Sequence, residues 1–130
     1  MATRVEAILD ELREEIPAVR RILERVPQGK LSWKPHAKSR SLGELAMHVA
    51  GLPGLTERIA QSDVFAPGSI EPRPVSSVEE IRGAFEKNVR TADAALGAMT
   101  EETAAGEWRM VTRAERSFAS HAPRPCEPIC

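Results

Sequence analysis

Three stretches of the chain repeat apolar residues in steps of three and four, the spacing that places side chains on one face of a helix. The first carries Val5, Ile8, Leu9, Leu12, Ile16, Val19, Leu23 and Val26 within residues 3–26. Arg4, Glu6, Asp10, Glu11, Arg13, Glu14, Arg20 and Arg21 fill the positions between them. Pro17 removes one backbone donor and clashes with the carbonyl of Arg13, which predicts a kink or short break near Glu15–Pro17. The third stretch runs through Val78, Ile81, Phe85, Val89, Ala92, Leu96 and Met99. These positions fall within about 80° of arc, the narrow seam of a bundle helix. Ser76, with Glu79 three residues on, is its expected cap.

The second stretch begins at Ser41-Leu-Gly-Glu44, the pattern of a capping box. Leu45, Val49, Leu52, Leu55 and Ile59 follow. At about 100° per residue, Leu45 lies at 0°, Val49 at 40°, Leu52 at 340°, Leu55 at 280° and Ile59 at 320°. His48 falls at about 300° on the same wheel, which predicts an imidazole on the inward face. Pro53, inside Gly51-Leu-Pro-Gly54, cannot donate to Val49 and is expected to kink the helix just after His48.

The connections read differently. Pro27-Gln-Gly-Lys30 closes the first helix, and residues 31–40 read as an extended loop because Pro35 disfavours helix at Lys34. Trp33 is the expected anchor of that loop against the bundle. Residues 63–75 hold Pro67, Gly68, Pro72 and Pro74 and predict a long crossover. Thr100-Glu-Glu-Thr103 can end or recap the third helix, and Trp108-Arg-Met-Val111 is short and extended in character. The final residues, with Pro123, Pro125 and Pro128, show no apolar period and read as a flexible tail. The expected fold class is therefore all-α, with residues 1–113 forming an incomplete helical bundle and residues 114–130 an irregular tail.

Composition narrows the functional classes. A chain of 130 residues is the size of one domain. The net charge of −1 gives no electrostatic case for nucleic acid or an anionic membrane as a general partner. No tyrosine and only five Phe and Trp residues leave little surface for base stacking. No run of 18 apolar residues predicts a transmembrane helix, and the N-terminus lacks the apolar core of a secretory signal. A cytoplasmic protein is expected, with Cys126 and Cys130 as free thiols. No Ser/His/Asp order, phosphate-binding glycine loop or Cys-x-x-Cys supports a nucleophilic or redox enzyme.

Leu31-Ser-Trp33, Pro35-His36, Ser41-Leu-Gly-Glu-Leu45, His48-Val-Ala50 and Leu52-Pro-Gly54 together resemble the signature segment of the DinB-like (damage-inducible) superfamily. Glu107-Trp-Arg-Met-Val111 resembles the segment that precedes that family's closing helix. The resemblance covers about the first 113 residues. It implies an up-down bundle of three main helices with a truncated or divergent fourth. It also implies kinship with metal-dependent thiol transferases, such as the bacillithiol- and mycothiol-dependent enzymes, and with hydrolases. In such proteins three histidines hold zinc or nickel, a low-molecular-weight thiol is the co-substrate, and homodimers are common.

Of that triad, His48 occupies the matching position on the second helix. The His-x-x-x-His pair of the closing helix has no counterpart after Arg113, and a truncated or frame-shifted C-terminus is the simplest expectation. Catalytic zinc sites use three protein ligands, so His48 alone is expected to hold a metal weakly or not at all. His36 is expected to be exposed, and Glu44 to be occupied by the capping box. His121, Cys126 and Cys130 offer ligand types that zinc accepts, at a spacing that fits no standard pattern.

Without its fourth wall the bundle is expected to expose an apolar groove. Three readings remain open. One is a metal-dependent DinB-like enzyme. Another is a non-catalytic module that uses the groove for an apolar small molecule, a partner or self-association. The third is an inactive remnant.

Overall fold

The computed structural model describes residues 3–65 and 74–111. In order they form α1 (Arg4–Glu24), a 3-10 turn (Gln28–Lys30), α2 (Leu42–Gln61), β1 (Val64–Phe65), α3 (Val78–Ala98), α4 (Glu101–Ala105) and β2 (Arg109–Met110). The architecture is all-α, with one two-stranded parallel pairing of Val64 with Arg109 and Phe65 with Met110. The boundary expected at residues 113/114, most of the crossover and the tail lie outside the described residues.

Caps define the helix starts. Thr3 accepts from the Glu6 amide while the Glu6 carboxylate accepts from the Thr3 amide, a second capping box that the Thr-x-x-Glu spacing encodes. The box expected at Ser41 is present, with Ser41 N–H to Glu44 Oε2 at 2.8 Å and Glu44 N–H to Ser41 Oγ at 3.1 Å. The third cap differs from expectation by one residue. Ser77 caps α3 by accepting from the Glu80 amide, and Ser76 instead bonds the Glu80 carboxylate through its amide and hydroxyl. Thr100 caps α4, so Thr100-Glu-Glu-Thr103 starts a new helix.

The break expected near Pro17 is absent, since α1 is helical from Arg4 to Glu24. Proline at this position removes one N–H from the ladder, and both Pro17 and Arg13 are exposed. Water can therefore satisfy the freed Arg13 carbonyl. The helical assignment of α2 likewise continues through Pro53.

Helix α3 is the shared neighbour of α1 and α2. Its stripe is the predicted one: Ile81, Phe85, Ala92 and Leu96 are all buried. The core gathers Leu23, Leu31, Ala46, Ala50, Ile81 and Phe85. At the far end, the α4 carboxylate of Glu101 accepts from the Val5 amide at 3.0 Å, one of the donors a helix start leaves unpaired. Arg109 N–H donates to Asp63 O and Val111 N–H to Phe65 O, each at 2.8 Å. The Phe65 and Trp108 rings stack beside this pairing, 6.2 Å between centroids.

Two ion pairs join α1 to α3 within 3 Å: Arg13 with Asp93, and Arg20 with Glu86 through two contacts of 2.6 and 3.1 Å. The hydrogen bond from Arg20 holds the Glu86 carboxyl below the usual carboxylate range. The same bond raises the Arg20 guanidinium above its ordinary value. These side chains remain substantially exposed, so each pair contributes modestly to stability.

The uncovered face of the second helix and its apolar groove

Helix α2 is turned differently from the expectation. Its buried residues are Gly43, Ala46 and Ala50, whereas Leu45, Leu52 and Ile59 are 51%, 46% and 41% exposed. On the same wheel the buried positions centre near 140°, opposite the stripe of large side chains near 320°. His48 goes with the stripe and is exposed, which corrects the inward imidazole predicted from periodicity.

Packing supplies the reason. Small side chains let two helices approach closely, and α2 presents such a seam to its neighbours. Asn88 of α3 donates to the Ala50 carbonyl at 3.0 Å. At Gly54 an added Cβ would lie 2.8 Å from Asn88 Oδ1. At Gly43, whose amide donates to Leu31 O at 2.8 Å, it would lie 3.1 Å from that same oxygen. A run of large residues could not make these approaches.

Where α1 and α2 face one another across α3, they leave a groove of about 240 Å³. Leu12, Ile16 and Val19 of α1 form one wall, Val49 and Leu52 of α2 the other, and Phe85 contributes from α3. An apolar groove is thus present among the described residues. His48 is not one of the residues lining it. It sits farther round α2, on the side of Leu55 and Ile59.

Two further hollows among the described residues are bordered by charged side chains that already have partners. One of about 350 Å³ is bordered by Arg20, Glu24, Arg82 and Glu86, whose charges pair across α1 and α3. Another of about 370 Å³ lies among Gln28, Ser41 and Glu44, where Glu44 is held by its capping box.

His36 is exposed, as expected, and its Nδ1 accepts from the Lys38 amide at 3.1 Å. Glu44 is engaged at the cap through its Oε2. His121, Cys126 and Cys130 lie outside the described residues. Trp33 does not anchor its loop: it is 57% exposed, and Leu31, at 8%, takes that role. The loop is not extended either, because turns close with Trp33 N–H on Lys30 O and Ser39 N–H on His36 O.

A catalytic zinc needs about three protein donors around one open position. Among the described residues no group of three or more His, Cys, Asp or Glu side chains could hold a metal ion. The described donor set therefore does not fit the metal that the resemblance implies, and no chemical step is derived through one. No described helix is long and apolar enough to cross a membrane. No family model matches the chain, and neither the curated proteins nor the solved structures contain a match.

Proposed function

We propose that this chain is a cytoplasmic DinB-like helical protein, related to metal-dependent thiol transferases and hydrolases, that acts through the uncovered face of α2. The observation carrying this reading is the outward turn of Leu45, His48, Leu52 and Ile59 on a helix whose opposite face is already packed. A bundle that used His48 as a ligand would bring its remaining donors to that face. Within the described residues His48 is the sole donor of the family triad, so metal retention is weak and a thiol co-substrate rests on kinship alone.

The test is equilibrium dialysis against zinc or nickel, followed by metal analysis of the wild-type chain and of His48→Ala. Substoichiometric metal on the wild type, lost in the variant, supports the reading. Equal metal on both proteins removes His48 from the site.

A second reading is a non-catalytic module that associates with itself through the groove. The groove's size favours it. At about 240 Å³ it falls below the roughly 300–1,000 Å³ of small-molecule pockets, and its apolar walls suit the side chains of another helix. Light scattering across a dilution series decides this reading: a dimer abolished by Leu52→Gln supports it, and a monomer at all concentrations rejects it.

A further inference from the structure

The whole-chain charge of −1 conceals a strong local imbalance. From Arg25 to Gly43 the chain contains no acid, and it carries Arg25, Lys30, Lys34, Lys38 and Arg40. The rest of the chain is left with thirteen cations against nineteen acids. All five cations are exposed, and none forms an ion pair with a described residue. The two acids that flank the run in sequence are otherwise engaged, as is Glu80. Glu24 pairs with Arg82, Glu44 caps α2, and Glu80 bonds Ser76.

Trp33 stands in the middle of this run. Its backbone is fixed on both sides, its amide donating to Lys30 O at 3.0 Å and its carbonyl accepting from the Leu42 amide at 2.9 Å. Leu31 anchors the same turn in the core. The indole is nevertheless 57% exposed. A large amphipathic ring is thus held outward on an ordered backbone, with exposed cations before and after it. Indoles favour the boundary between hydrocarbon and water, and basic clusters are drawn to anionic lipid surfaces.

We propose that the α1–α2 connection, residues 25–40, is a docking surface for an anionic phospholipid bilayer, with Trp33 entering the interfacial layer and the surrounding Lys and Arg residues meeting the headgroups. A single ring favours lipid over single-stranded nucleic acid, which is read by successive aromatic platforms. The other tryptophan, Trp108, is already stacked on Phe65. The proposal does not depend on the metal or groove readings above.

The test is co-sedimentation of the full chain with phosphatidylcholine vesicles, with and without phosphatidylserine, at low and high salt, together with tryptophan emission of the Trp108→Phe variant. The expected result is salt-sensitive binding to the phosphatidylserine vesicles only, with a blue shift of Trp33 emission. Each neutralised lysine is expected to weaken binding by about five-fold, so Lys34→Gln with Lys38→Gln weakens it about 25-fold. Trp33→Ala is expected to weaken binding while circular dichroism stays unchanged. Equal binding to both vesicle types, no binding, or insensitivity to the lysine changes would overturn the proposal. So would binding to a mixed-sequence single-stranded oligonucleotide with none to the anionic vesicles.

Discussion

Helices α2 and α3 are nearly equal in length, and each carries a stripe of large apolar side chains, yet they use their stripes in opposite ways. In α3 the stripe is the core: Ile81, Phe85, Ala92 and Leu96 are buried against its neighbours. In α2 most of the stripe is left exposed, at Leu45, Leu52 and Ile59, Val49 packs only at the edge of the core, and Gly43, Ala46 and Ala50 are buried in its place. Hydrophobic periodicity reports which face is worth covering. Closeness of approach decides which face is covered by a given neighbour, and small residues win that contest where two backbones must come together.

This contrast can be broken most forcefully at Phe85, which is shared by the α3 core and the groove. Phe85→Ala is expected to cost about 3–5 kcal/mol in urea denaturation. A loss under 1 kcal/mol would mean that the α3 stripe is not the core. Next comes the small seam of α2. Ala50 is fully buried, and Ala50→Leu is expected to cost about 1–3 kcal/mol by overpacking. If that variant were as stable as the wild type, the close approach of α2 to α3 would be refuted. Leu52→Gln, on the outward stripe of the same helix, should by contrast change monomer stability by no more than about 0.5 kcal/mol.

The smallest effect belongs to the α1–α3 contact and is read from its loss on acidification. Glu86 has its carboxyl held low by Arg20. Its contribution is fully present above the ordinary carboxylate range and is lost as pH falls through the lowered value. The urea midpoint of the wild type should therefore decline on acidification more steeply than that of Glu86→Gln. Parallel declines would show that the Arg20 contact contributes nothing.

Much of the fold was legible because its signals are local. The Ser41 capping box and the α3 seam each rest on residues within one or two turns, whereas Thr100-Glu-Glu-Thr103 left an end and a recap equally open. The cap of α3 shifted by one because Ser76 and Ser77 both precede suitable glutamates, and only the backbone path selects Ser77. Thr3 with Glu6 carried the same capping signature at the first helix, which the apolar period overshadowed. The orientation of α2 was not legible in the same way. Leu45, Leu52 and Ile59 dominate any hydrophobic count, whereas the fit of Gly54 against Asn88 depends on a neighbour 34 positions away. His48 inherited the error, since its inward placement was read from the large stripe. Trp33 failed for a related reason: apolar bulk suggested an anchor, but the short Leu31 side chain had already filled that place.

The short parallel pairing of β1 with β2 bears on the order of assembly. Val64 and Arg109 lie 45 positions apart, so joining them closes a long loop whose entropy two backbone bonds cannot repay. Docking of α3 must come first and bring the ends within reach. The strand contact then forms late and opens early, independently of the helices. The amide protons of Arg109 and Val111 will consequently exchange with solvent well before those of Ile81 and Phe85, making this corner an early point of local release among the described residues.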